Sequence, residues 1–159
     1  MCRLFVQGVW QCGGVVSRSR MSEQNCVLLN WNVRGLNNSA RRQVVKDLAR
    51  DTKCNIVALQ ETKLDNFTAA IVRETLGEKF AANFAFLPAQ GTRGGALIAV
   101  DEDLYTIQRS EFRSHSVTAL LKSVRTQEEW WATVVYGPQW GPRKIVVSAR
   151  VEGVDRLGG

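Results

Sequence analysis

The sequence has one histidine, three prolines and no cysteine pair in C-x-x-C spacing. Because none of its four cysteines lies near the histidine, neither a zinc site nor a dense disulfide framework is expected. The cysteines are interpreted as buried or incidental thiols of a reducing compartment, which favours a nuclear or cytoplasmic location over secretion. No stretch approaches the roughly 18 apolar residues of a membrane span, so no membrane partner is expected.

Residues 1–20 contain no acidic residue, and the two ends of the chain together carry most of the net charge of +6. Residues 1–20 contribute +3 and residues 139–159 contribute +2, which leaves +1 for the centre. Net charge therefore does not by itself indicate a nucleic-acid surface on the folded part. The 45% hydrophobic and 23% charged content is that of an ordinary soluble domain.

Two apolar runs, residues 26–31 and 55–60, are typical of strands that are covered on both faces. Between them, Asn38 or Ser39 can cap a helix that continues to about Thr52. This order predicts a βαβ unit with parallel strands and a right-handed crossover. A second helix is predicted over residues 66–76, with Gly77 as its end.

Five further apolar segments, separated by turn residues, lie between residues 83 and 136 and predict a largely antiparallel meander. The predicted class is therefore α/β. We expect three regions: a poorly ordered extension over residues 1–22, a domain over 23–138 and a loosely packed tail over 139–159.

Each strand of the βαβ unit is followed by a side chain able to ligate a hard cation. Asn32 lies in the run WNVRGL (31–36) and Glu61 lies in LQETK (59–63). The carboxyl ends of parallel strands gather ligands at one edge of a sheet. An amide oxygen and a carboxylate brought together there can form part of a Mg²⁺ site for phosphate chemistry. Taken singly, each residue is as readily a turn former or a solvated loop residue.

Four runs, taken in order, resemble the amino-terminal half of the endonuclease/exonuclease/phosphatase superfamily. They are WNVRGLN (31–37), LQETK (59–63), GGALIAV (94–100) and VVYGP (134–138). More narrowly, they resemble the apurinic-type endonuclease domain of plant non-LTR (LINE-type) retrotransposons. The resemblance covers about residues 26–138. It implies a partial, truncated two-sheet α/β sandwich and cleavage of a DNA phosphodiester with Mg²⁺ or Mn²⁺, with no small-molecule cofactor.

The resemblance also implies roles for individual residues. Glu61 would be the direct cation ligand, and Asn32 would contribute to the metal and phosphate region. Tyr136 would place its hydroxyl near the scissile phosphate, so the implied catalytic set is Asn32, Glu61 and Tyr136. Gly94 and Gly95 would allow close packing of strand and loop.

Three further signatures of that superfamily do not occur in this sequence. They are a Gly-Asp-Phe-Asn-like run, a second acidic site and a terminal Ser-Asp-His-like run. The single histidine, His115, falls between two predicted strands and is interpreted as a surface or turn residue. The leading interpretation is therefore a truncated, inactive remnant of a Mg²⁺-dependent endonuclease that binds the metal weakly if at all. The strands at 27–31 and 56–59 would lack part of their cover, which favours self-association.

Two alternatives remain open. The chain can be a residual binding module for nucleic acid or for a protein, or a relative of the small-molecule phosphatases. Four cations, Arg34, Arg41, Arg42 and Lys63, lie near the predicted site. They are either phosphate contacts or ordinary solvated charges of a helix and a loop.

Overall fold

The computed structural model describes residues 9–11, 14–21 and 24–135. In this part of the chain there are two α-helices, α1 (Ser39–Thr52) and α2 (Ala69–Leu76), and a 3₁₀ turn at Glu78–Phe80. The strands are β1 (Val9–Gln11), β2 (Gly14–Met21), β3 (Gln24–Asn32), β4 (Ile56–Gln60), β5 (Phe84–Leu87), β6 (Ala96–Val100), β7 (Tyr105–Arg113), β8 (Ser116–Ser123) and β9 (Glu129–Val135).

The predicted βαβ unit is confirmed as β3–α1–β4, with β3 and β4 paired in parallel. The Asn38 side chain caps α1 by accepting the amide of Ala40 at 2.7 Å, as expected of an asparagine before a helix. Lys53 ends α1 in the left-handed conformation, and its amide donates to the last carbonyls of the helix.

The described strands form two sheets, which confirms the α/β two-sheet architecture. The first has the order β1-β2-β3-β4-β6-β5 and the second has the order β7-β8-β9. In the first sheet β6 is antiparallel to β4 and to β5. Of the five segments predicted to form an antiparallel meander, the last three do so as the second sheet, whereas the first two, β5 and β6, join the first sheet.

The sheets and helices form three layers with a hydrophobic core at each contact. One core joins the helices to the first sheet, through residues such as Val45 and Val72 on the helices and Leu29 and Leu59 on the strands. The other joins the two sheets, through alternate residues of β3, β4 and β6 and the inward residues of β8 and β9. Burial on both faces explains why β3 and β4 are nearly continuous apolar runs.

This second core corrects the expectation of an uncovered sheet face. Residues 27–29 and 56–59 are all buried, because the β7–β9 sheet packs against the side of the first sheet that faces away from the helices. Self-association through an exposed face of these strands is therefore not supported. The expected loose tail, residues 139–159, lies outside the described residues.

Strands β1 and β2 lie within residues 1–22, where the sequence predicted a poorly ordered extension. β2 pairs antiparallel with β3, from Gly14 opposite Trp31 to Met21 opposite Gln24. This pairing satisfies the backbone N–H and C=O groups along one edge of β3. The need for these partners comes from the sheet, not from the sequence of residues 14–21 itself.

The two cysteines in the described side chains, Cys26 and Cys54, are free and buried. Burial raises the pKa of each thiol to about 11. Both thiols therefore stay protonated at neutral pH, where a thiol is a poor nucleophile. They pack as small apolar side chains, as the sequence predicted. None of the described helices has the length and apolarity needed to cross a membrane.

Adjacent valines of α1 provide a matched test of the helix–sheet core. Val45 is fully buried, whereas Val44 is 51% exposed. Val45→Ala should lower the free energy of unfolding by about 2 kcal/mol because it leaves a cavity among packed neighbours. Val44→Ala should change it by less than about 0.5 kcal/mol. Urea unfolding followed by circular dichroism measures both, and equal losses would contradict this packing.

Candidate functional site

The structure brings Asn32 and Glu61 to the same edge of the first sheet. Asn32 is the last residue of β3 and lies opposite Gln60, the last residue of β4. Glu61 follows directly. Neighbouring strands lie about 4.8 Å apart, so the two residues that the sequence singled out lie on adjacent segments of the backbone at this edge. Their assignment as metal ligands stays a prediction.

The loops that leave β3 and β4 remain hydrogen-bonded to each other beyond the strands. The amide of Gly35 donates to the carbonyl of Glu61 at 2.7 Å, and that of Leu36 donates to the carbonyl of Thr62 at 2.9 Å. The backbone of Glu61 is thus fixed against the loop that follows Asn32.

A second loop holds the other side of this segment. The amides of Thr62 and Lys63 donate to the carbonyls of Gly95 and Gly94, at 3.2 Å and 3.0 Å. A Cβ atom on Gly95 would overlap Thr62 Oγ1 and lie 3.3 Å from the Lys63 nitrogen. This close approach agrees with the role that the sequence resemblance implied for the two glycines. We call the segment Glu61–Lys63 with its two flanking loops the clamped loop.

Three residues other than glycine in or beside the clamped loop have left-handed backbones. Arg34, Glu61 and Lys63 have φ angles of 51°, 51° and 56°. Such residues cost free energy and persist only where the surroundings enforce them. Here the enforcing contacts are the backbone hydrogen bonds on both sides. Strain concentrated at one edge of a sheet points to a functional site there.

The side chains of Asn32 and Glu61 differ in their freedom. Asn32 Oδ1 accepts the amide of Arg34 at 3.3 Å, a local turn bond. An amide oxygen has a second lone pair, so this bond does not exclude ligation. The half-buried Glu61 carboxylate has no hydrogen bond or ion pair among the described residues. It is therefore the more available oxygen donor.

The loops that follow Asn32 and Glu61 border an open groove of about 570 Å³, which we call the cationic groove; neither of those two side chains lines it. Its lining contains the cations Arg34, Arg41 and Lys63 and no acidic residue. The rest of the lining is Gly35, Asn37, Asn38, Ala40 and Val44. Asn38 caps α1, whose first turn has no acidic residue. The positive end of the helix dipole therefore adds to the three side-chain charges.

The fourth cation named from the sequence, Arg42, is not part of this groove. Its Nη1 donates to the carbonyl of Leu36 at 2.7 Å, and its Nε lies 3.3 Å from a carboxylate oxygen of Glu74. Arg42 therefore joins α1 to α2 and to the loop after β3. Arg41 donates to the carbonyl of Val33 at 3.3 Å and has no ion pair within the described part of the chain.

Two other sequence predictions concern Tyr136 and His115. Tyr136 follows the last residue of β9 and lies outside the described residues, so its role stays a prediction. His115 is exposed between β7 and β8, in agreement with its interpretation as a turn residue, and its Nδ1 lies 3.0 Å from Ser114 Oγ.

The side chains at this edge include few metal donors. Among the described residues no group of three or more His, Cys, Asp or Glu side chains could hold an ion. The local donors are one carboxylate and one amide oxygen, and both are hard ligands of the kind that Mg²⁺ prefers. The set suits a weakly held Mg²⁺ that relies on water or phosphate oxygens for its other positions.

The sequence did not single out Asn37 and Asn38 as groove residues, although the capping pattern pointed to the beginning of α1. Asn37 Nδ2 donates to the carbonyl of Lys63 at 3.4 Å and so connects the groove to the clamped loop. Thr62 was also missed. Its hydroxyl is fully buried with no partner among the described groups.

Neither a family model nor a curated protein matches this sequence. Among solved structures, one that resembles the chain is the crystal structure of humanized D. rerio TDP2 carrying 14 mutations. The identity is 16%, the TM-score is 0.45, and the match covers 67% of this chain and 47% of that chain. The matched part is thus less than half of that protein, and no residue role follows from a match of this extent.

Substitution of Gly95 tests the clamped loop. Gly95→Ala should lower the free energy of unfolding by at least about 2 kcal/mol, because it adds a steric overlap with Thr62 to the strain of a φ of +87°. Gly91→Ala is the matched control. Gly91 has a φ of +61° but nothing within 4 Å of an added Cβ, so only about 1 kcal/mol of strain is expected. Equal losses in chemical unfolding would refute the close approach.

Proposed function

We propose that the chain is a remnant of a Mg²⁺-dependent DNA endonuclease of a non-LTR retrotransposon, which still binds nucleic-acid phosphates but hydrolyses them inefficiently. The observation that carries this proposal is the cationic groove beside Asn32 and Glu61. Three cations and the beginning of α1 line this groove, and its Lys63 lies two residues after Glu61.

The groove is chemically suited to a phosphate backbone. Arg34, Arg41 and Lys63 have no ion pair within the described part of the chain, so phosphate binding would not first require a protein salt bridge to break. Guanidinium groups contact phosphate oxygens through two N–H donors, and an ammonium contacts them as a point charge. None of these contacts distinguishes one base from another, so we expect binding with little sequence preference.

A Mg²⁺ ion at this edge would be held by Glu61, with Asn32 as a second donor. When bound, it would neutralise charge that develops on a phosphate during hydrolysis. The chain's own side chains would orient the phosphate: Lys63 and Arg34 lie two residues after Glu61 and Asn32, on the same two loops.

Hydrolysis also requires a group that accepts a proton from the attacking water. Glu61 directly follows β4, and the other carboxylate of that loop, Asp65, is exposed four residues later. A carboxylate that ligates the metal is a poor base. Loss of a general base commonly costs about 10²- to 10⁴-fold in rate. We therefore favour phosphate binding over catalysis as the retained activity.

The binding activity can be tested with a fluorescent DNA duplex at several salt concentrations. The double substitution Arg34→Gln with Lys63→Gln should weaken binding about tenfold and reduce the slope of log K against log salt by about 1 to 2, because up to two phosphate contacts are lost. Arg113→Gln is the control, since Arg113 is exposed at the end of β7 and belongs to no described ion pair. An unchanged slope in the double variant would contradict the groove as the binding surface.

Catalysis can be tested by nicking of supercoiled plasmid with Mg²⁺ or Mn²⁺. We expect the unaltered chain and the Glu61→Ala variant to relax the plasmid at the same background rate, because an efficient site is not formed. Nicking that depends on metal and disappears in Glu61→Ala would show that the chain is an active endonuclease. The DNA-binding assay is independent of this result.

A further inference from the structure

A second cavity, of about 550 Å³, lies between the carboxyl ends of α1 and α2. We call it the helix-end cavity. Asp101 lines it, and the Asp101 amide donates to the carbonyl of Asn55, immediately before β4. The cavity is therefore at the opposite end of β4 from Glu61, and β4 is about 16 Å long. It is separate from the cationic groove.

The floor of the helix-end cavity is apolar. Ala49, Cys54, Leu76 and Phe80 line it, and each is buried. The Cys54 thiol is uncharged at neutral pH because burial raises its pKa to about 11. The carbonyl of Ala49 accepts the backbone amides of Lys53 and Cys54, so this carbonyl does not add an unsatisfied acceptor to the floor.

The rim of the cavity carries charges of both signs. Arg50, Glu78, Lys79 and Asp101 lie on it but are ion-paired within the protein: Arg50 with Asp47 and Asp51, Glu78 with Arg73, and Lys79 with Asp101 and Asp103. Lys46 and Lys53 complete the rim and have no ion pair among the described residues. Two ammonium groups are thus available above an apolar floor.

We propose that the helix-end cavity binds a small amphipathic anion, with an apolar body on the floor and an acidic group between Lys46 and Lys53. The volume is within the range of about 300–1,000 Å³ that is usual for small-molecule sites. Apolar contact supplies binding free energy. The ammonium groups offset the negative dipole ends of α1 and α2 and fix the orientation of the acid through charge-assisted hydrogen bonds. This site does not depend on the proposed phosphate binding.

The probe for this proposal is 2-naphthoate, which has a flat apolar body and one carboxylate. Its neutral analogue, 2-naphthalenemethanol, has the same body without the charge. In a ¹H–¹⁵N NMR titration of the full chain, 2-naphthoate should shift the amide signals of residues 46–54 and 76–80. The alcohol should bind the same residues at least about fivefold more weakly, because two exposed ion pairs are lost.

The double substitution Lys46→Gln with Lys53→Gln should weaken 2-naphthoate binding about fivefold and leave binding of the alcohol unchanged. Glutamine keeps a polar chain at two sites that are not buried, so the fold should persist, and dispersed amide signals verify this. Arg113→Gln is the control and should bind 2-naphthoate like the unaltered chain. The proposal is overturned if both probes bind equally, if the lysine variant keeps full affinity, or if the shifted signals belong to the cationic groove.

Discussion

The parallel pairing of β3 with β4 is the interaction on which the candidate site depends. Asn32 and Glu61 are 29 positions apart in the sequence, and only this ladder makes them neighbours. The ladder does not stop with the strands, because the bonds from Gly35 to Glu61 and from Leu36 to Thr62 extend it into both loops. The βαβ connection through α1 requires the parallel direction, and α1 in turn supplies one wall of the cationic groove. Fold and site therefore share one set of backbone hydrogen bonds.

The central elements could be predicted because local and long-range signals agree there. The continuous apolar runs of β3 and β4 indicate strands with two covered faces, and the asparagine before α1 indicates where that helix begins. The second helix was less predictable. A helix was predicted over residues 66–76, whereas Thr68 caps the helix, which then begins at Ala69 and buries Val72 and Leu76. Phe67 packs in the same core from outside the helix. The pairing of β2 could not be read from its own residues, since the need for a partner arises at the edge of β3.

At the site, the sequence predicted which residues follow the strands. It did not predict which cations line the groove and which are ion-paired within the protein. Arg41 and Arg42 are adjacent in the chain, yet on a helix one residue is a rotation of about 100°. That rotation aims Arg42 at Glu74 of α2 and leaves Arg41 at the groove. The choice depends on where α2 packs, which no local pattern reveals. The left-handed backbones of Glu61 and Lys63 likewise depend on hydrogen bonds from two other loops, the one after β3 and the one before β6.

The location of β4 gives the two sides of the groove different dynamics. β4 has β3 on one side and β6 on the other, and all five of its residues are buried. The amides of β4, the strand that leads into Glu61, therefore exchange with deuterium mainly when the whole domain opens. The first turn of α1 is exposed instead, and helix ends fray at little cost in free energy. A ligand in the groove would thus meet one wall that is nearly static and one that adjusts to its shape.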